Sequence, residues 1–208
     1  MGNDLAIVNA ARTSFLGESK GEEADRELLN YLMEHRHTGP FEQVEFKFRI
    51  HAPVLVWWQL VRHRTANLSM QSGRYTELDS FYFPSYWRHQ AKDNKQGSEG
   101  MIGKKESDAL DDMLNEYYDS SLAMYKRALE LGAAREMARL FLPGFAIYYT
   151  GVWKIDAHNL MNFLELRLSD DAQHEIRQYA QYIYYFFDSI LPWTTKAFRK
   201  YRLTPRGL

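Results

Sequence analysis

Val44, Phe46, Phe48 and Ile50 alternate with Glu45, Lys47 and Arg49, the period-two pattern of a half-buried strand. Only one other stretch, Phe145 to Ile155, aromatic and β-branched, reads as a strand in a chain otherwise patterned at helical spacing. Any sheet is therefore small, and the class expected is α+β, one helix-rich domain over residues 1–208 with a small antiparallel sheet. Helices are predicted over Asp4 to Arg12 (capped by Asn3 or Asp4), Glu22 to His37, Ser107 to Gly132, Ala133 to Phe141, Ala157 to Leu168 and Ala172 to Leu191. In the long helix, Leu110, Met113, Leu114, Tyr117, Leu122, Tyr125 and Leu129 recur at core spacing. Pro53 opens another helix, VLVWWQLV, apolar on nearly all sides and expected to be deeply buried. The polar stretch 89–108 reads as an exposed, flexible loop, and the segment from Ser189 onward as a solvated helix end and basic tail carrying Lys196, Arg199, Lys200, Arg202 and Arg206.

Composition narrows the chemistry. With no cysteine, disulfides, thiolate metal sites and thiol nucleophiles are all excluded. The 26 basic and 27 acidic side chains nearly cancel, so an anion site has to be a local concentration of Arg and His. The N-terminal residues carry no basic-then-apolar leader, Ala6 argues against a myristoylation start, and no apolar run is long enough to span a bilayer; a cytoplasmic protein without membrane contact is expected. Neither G-x-G-x-x-G nor G-x-x-x-x-G-K-[ST] occurs, and His35, His37, Asp170, Asp171 and His174 form no recognised ligand set, so no metal is expected.

The informative stretch runs from Gln59 to Tyr75. Arg62-His63-Arg64 follows the apolar helix, and Ser72-Gly73-Arg74 sets another Arg beside a hydroxyl and accessible backbone amides. Guanidinium groups bind phosphates and carbonyls bidentately, and amides around a Gly bind the remaining oxygens. A helix C-terminus dressed with cations is the plainer account, but Trp57, Trp58 and Val61 are expected to draw the cluster inward, where charge needs an anionic partner. An Arg and aromatic clamp for single-stranded nucleic acid stays open at this point.

R-H-R, seven residues, then Ser resembles the signature of the flavin-dependent thymidylate synthases. Other segments agree in order: Ala10-Ala11-Arg12-x-Ser14-Phe15, His37-x-x-Pro40-Phe41-Glu42, Arg135-Glu136-x-Ala138-Arg139, Asn159 to Arg167, and Ala172-Gln173-x-Glu175-Ile176-Arg177. The resemblance implies a homotetramer with active sites at subunit interfaces, converting dUMP to dTMP, with FAD as hydride carrier and with 5,10-methylenetetrahydrofolate and NADPH as co-substrates. It implies FAD contacts from Ser14, His37, Arg62, His63, Arg64, Asp156, His158 and Asn162. Gln59, Arg62, Ser72, Gly73 and Arg74 are implied for dUMP, joined by Arg139 from a neighbouring subunit, and Arg167 is the catalytic group facing the uracil ring. Met70, Asp156 and His158 depart from the family pattern, so a family member that binds flavin and nucleotide without turnover is the further alternative. The missing thiol agrees with a route that needs no protein nucleophile.

Overall fold

The computed structural model describes residues 1–93 and 97–203. Its helices are α1 (Asp4–Arg12), α2 (Glu22–Glu34), α3 (Val54–Leu60), α4 (Lys104–Glu130), α5 (Arg135–Ala138), α6 (Ala157–Arg167), α7 (His174–Ile190) and α8 (Pro192–Tyr201), with short 3₁₀ turns at Thr13–Phe15, Gly39–Gln43 and Arg139–Phe141. Strands β1 (Glu45–Pro53), β2 (Asn67–Met70) and β5 (Tyr148–Asp156) form one sheet with β5 in the middle, and β3 (His89–Gln90) pairs antiparallel with β4 (Ser98–Glu99). The helix-rich α+β class with a small antiparallel sheet holds.

The described residues fall into two compact units through which the chain passes more than once. The first holds Met1–Phe48, His63–Asn67 and the chain from Trp153 onward. Here α2 and α7 pack on α8, and α6 packs on α7 and on the Gly39–Gln43 turn. Its core includes Leu29, Phe41, Trp153, Leu160, Phe163, Phe187 and Phe198, all nearly inaccessible. A buried carboxylate, Asp25, is ion-paired to Arg12 at 2.7 Å and accepts hydrogen bonds from Ser19 and from the Lys20 N–H. Burial alone would raise its pKa, yet these donors hold it below the usual carboxylate value.

The second unit holds Arg49–Arg62 and Leu68–Val152. Its core joins Leu78, Tyr125, Ala128, Ala138, Leu142 and Ile147. Gly151 is there because of Trp57: a Cβ at 151 would lie 2.6 Å from the indole, which is itself fixed by a 3.0 Å hydrogen bond from its Nε1–H to the Tyr149 carbonyl.

Several elements differ from the sequence expectation. Helix α2 ends at Glu34 because Arg36 takes a left-handed conformation (φ 56°) and the His37 N–H returns to the Leu32 carbonyl at 2.9 Å. The buried stripe of α4 is Tyr118, Ser121, Tyr125 and Ala128, whereas Met113 and Tyr117 face outward. Helix α3 buries Val56, Trp57 and Leu60, but Trp58 is 57% exposed and Val61 44%, so one face of α3 is open. The 89–108 stretch contains the β3–β4 hairpin and the start of α4; positions 94–96 of that expected loop lie outside the described residues.

The expected solvated tail is instead a packed helix, with Thr194, Thr195, Ala197 and Phe198 buried. Its N-terminus is capped from the other end of the chain. Asp4 Oδ2 accepts from the Trp193 N–H at 2.9 Å, and Oδ1 accepts from the Thr194 N–H at 2.9 Å and its hydroxyl at 2.6 Å. A cap nearly the whole chain length away leaves no local signal. Arg206, part of the same expectation, lies outside the described residues.

Candidate functional site

Helix α6 organises the first unit's polar chemistry. Asp156 is its N-cap: Oδ1 accepts from the Asn159 N–H at 2.9 Å and Oδ2 from the Asn159 side-chain amide at 2.8 Å. His158, Asn162 and Glu165 follow at i, i+4 and i+7 and so share one face. That face lines a cavity of about 510 Å³. Leu32, Met33, Phe41 and Met161 give it apolar walls, while Arg36, Thr38 and Tyr201 bring polar groups. Arg202 donates from Nη2 to Asn162 Oδ1 at 2.7 Å and pairs with Glu165 at 2.7 Å. His158 Nδ1 is buried without a hydrogen-bond partner among the described residues. Burial and then the Arg202 charge push the His158 pKa down, opposed by Asp156 and Glu42, so the ring is neutral near pH 7.

Arg167, at the end of α6, donates its Nε–H to His63 Nε2 at 3.1 Å. His63 also packs edge-on against Phe163, ring centroids 5.0 Å apart. Burial, and secondarily the Arg167 charge, lowers the His63 pKa to about 4. An imidazole accepting at Nε2 is neutral and carries its proton on Nδ1. The expected inward run of three cations is therefore corrected. Only His63 turns inward, uncharged; Arg62 and Arg64 are exposed, because the apolar face of α3 that was to draw them in is itself open.

Ser14 and His37 line a second cavity of the first unit, about 810 Å³, with Phe15, Tyr31 and Pro40. Tyr31 stacks on His35 with ring centroids 4.2 Å apart and meets the His37 ring edge-on at 5.7 Å. In the second unit, Ser72, Gly73, Arg74 and Arg139 come together. Ser72 Oγ accepts from the Arg74 N–H at 3.3 Å, and Arg74 lies 3.4 Å from Glu136 in an exposed pair. Gly73 is buried against Arg139, where an added Cβ would lie 2.8 Å from Arg139 Cδ. Arg139 thus lies against Gly73 within the same chain, where Ala138 of α5 shares a core with Leu78. The Arg139 Nε is buried without a hydrogen-bond partner among the described residues, a donor available to an anion.

The sequence-predicted residues thus divide. Ser14, His37, His63, Arg64, Asp156, His158, Asn162 and Arg167 belong to the first unit; Gln59, Arg62, Ser72, Gly73, Arg74 and Arg139 belong to the second. Among the described residues, no group of three or more His, Asp or Glu side chains is placed to hold a metal, and no helix is long and apolar enough to cross a membrane.

The model of the thymidylate synthase complementing protein family (Thy1) matches residues 1–193. The chain belongs to that family. A flavin-dependent thymidylate synthase of Thermus thermophilus is 47% identical over 204 residues, 98% of this chain and 74% of that protein. The enzyme of the same name from Thermosipho africanus is 42% identical, over 97% of this chain and 88% of its own. A solved structure of the UMP/dUMP methylase PolB from Streptomyces cacaoi, bound with 5-Br dUMP, superposes with a TM-score of 0.89 at 30% identity, covering 98% of this chain and 93% of that one.

Sequence reasoning missed Arg36, Glu165, Tyr201 and Arg202 in the α6 cavity of this Thy1 chain. Glu165 was accessible, since it lies three residues after Asn162 on the same helical face. Arg202 was not, because a basic segment read as solvated gave no reason to fold it back onto α6.

Proposed function

We propose that the chain is a flavin-dependent thymidylate synthase, converting dUMP to dTMP with FAD as resident cofactor and methylenetetrahydrofolate and NADPH as co-substrates. Family membership over residues 1–193, with relatives of that name at 42–47% identity, carries the proposal. It favours this function over a single-strand nucleic-acid clamp. A homotetramer with active sites at its interfaces belongs to the same proposal, supported by outward aromatic side chains such as Trp58, Tyr182, Tyr185 and Phe186.

The residues fit the cofactor. The α6 cavity offers apolar walls for a flat ring, the buried donor at His158 Nδ1, the Asn162 amide, and the Arg36 guanidinium for anionic oxygens. Ser14 and His37 line the neighbouring aromatic pocket; Arg62, His63 and Arg64 complete the proposed cofactor set, with Asp156 acting through its cap on α6. When bound, FAD supplies the hydride. Ser72, Gly73, Arg74 and Arg139 hold the substrate phosphate, with Gln59 and Arg62 assisting in dUMP binding.

Arg167 is the proposed catalytic residue. Held through its Nε–H bond to His63, its guanidinium faces a pyrimidine carbonyl, where it stabilises negative charge as it develops on the ring. A neutral His63 is what lets that bond form: an imidazolium would repel the guanidinium. With no cysteine in the chain, activation of the ring is electrostatic rather than by thiolate addition.

The test is the visible spectrum of the purified protein with and without dUMP, followed by tritium release from C5-labelled dUMP in the presence of folate and NADPH. A protein that neither contains nor takes up FAD refutes the proposal, and a yellow protein that forms no dTMP establishes the non-catalytic alternative. Arg167→Ala is expected to abolish turnover with FAD retained. PolB is named a UMP/dUMP methylase, so UMP and dUMP should be compared as acceptors.

A further inference from the structure

Helix α8 lies almost wholly beyond the segment matched by the family model, which ends at residue 193. Yet its C-terminal end supplies one wall of the α6 cavity through Tyr201 and Arg202. Arg202 is largely buried there, 18% exposed, and its charge is balanced by Glu165, which accepts from both Nε (3.2 Å) and Nη2 (2.7 Å). The same Nη2 reaches Asn162 Oδ1 at 2.7 Å.

Chemistry fixes what that contact does. A guanidinium has donors only, so Asn162 must turn its carbonyl oxygen toward Arg202. The amide NH₂ then points the other way along α6. Its contacts there are long, 3.5 Å to His158 Nε2 and 3.5 Å to Asn159 Oδ1, so its donors are poorly used among the described residues. Without Arg202 the side-chain amide could flip and present its oxygen instead.

We propose that Arg202 is a positioning residue for the flavin site: it locks the Asn162 amide so that its NH₂ faces an acceptor on the bound cofactor, with Glu165 holding Arg202 in place. This rests on the flavin reading above and extends the site to α8, whose far end is anchored by Asp4. The C-terminal helix is thus a structural wall of the cofactor cavity and also sets its hydrogen-bond polarity.

The test is FAD affinity by flavin fluorescence on the full chain, in a double-mutant cycle of Arg202→Gln and Asn162→Ala. Loss of a charge-assisted bond that orients a ligand contact should weaken FAD binding about tenfold or more. In the Asn162→Ala background, Arg202→Gln should change it less than about twofold, because there is no amide left to orient. An equal effect in both backgrounds, or no effect in either, overturns the inference while leaving the flavin reading intact. If the wild-type chain binds no FAD, both are overturned. Should Arg202→Gln fail to fold, Arg202→Lys serves in its place. It keeps the charge beside Glu165 but cannot span both partners, so the same cycle gives a smaller loss that still vanishes with Asn162 removed.

Discussion

Replacing His63 by Gln tests the arrangement around Arg167 through stability alone. Gln keeps an acceptor for the Arg167 Nε–H and has no proton to gain. In the wild type, burial and Arg167 depress the His63 pKa from 6.5 to about 4. The unfolded chain therefore takes up a proton near pH 6.5 that the folded chain refuses until about pH 4. The contribution is fully present above pH 6.5 and is lost as pH falls from there toward 4. The full shift corresponds to ~3 kcal/mol, of which ~2 kcal/mol has gone by pH 5. His63 is only partly enclosed, and solvent screening reduces the loss at pH 5 to about 1 kcal/mol. Urea unfolding of both proteins at pH 7.5 and pH 5 measures it. The other six histidines are common to both proteins, so the comparison isolates position 63. Wild type should lose about 1 kcal/mol more than His63→Gln over this range. An equal loss, or a folded-state His63 resonance titrating at or above pH 6.5, refutes a neutral imidazole held by Arg167.

Asp4→Ala leaves two backbone N–H groups and the Thr194 hydroxyl without their acceptor, and should cost about 2–4 kcal/mol in denaturant unfolding. Asp4→Asn, which keeps one carbonyl oxygen, should cost less than half of that. Gly151→Ala drives a methyl into a fixed indole and should cost about 1–3 kcal/mol by thermal or urea unfolding, with Trp57 fluorescence altered in the native state. Gly73→Ala pushes the Arg139 side chain aside, so dUMP affinity measured by calorimetry should fall about tenfold while FAD affinity is unchanged. An unchanged dUMP affinity would remove Gly73 and Arg139 from the proposed phosphate site.

Period and composition carried a large part of the structure. Helix α1 runs from Asp4 to Arg12 under an Asn3 cap, as the local residues dictate, and the alternation at Val44 to Ile50 became β1 with Phe46 and Ile50 buried. These elements are legible because caps and amphipathic periods are local. The phase of α4 was not: Tyr117 and Tyr118 fit the pattern equally, and only the packing of Tyr118 beneath the Tyr82 carbonyl, which its hydroxyl reaches at 2.7 Å, chooses between them. Strand β2 was also missed, since Asn67–Met70 is exposed throughout and has no alternation to read.

The same division holds for chemistry. By itself the sequence determined that no thiol takes part, that anions must meet a local Arg cluster, and which residues match the flavin-dependent synthases. Tertiary structure alone decided which of those cations are charged and where they act. Arg62, His63 and Arg64 look alike as neighbours in sequence, but only His63 is desolvated beside Arg167, and desolvation keeps it neutral. Arg202 looks like part of a solvated tail until Asp4, nearly two hundred residues earlier, seats α8 and brings that guanidinium onto Asn162. A pKa or a side-chain orientation depends on what surrounds a group in space, and contacts between distant segments have no signature in local sequence.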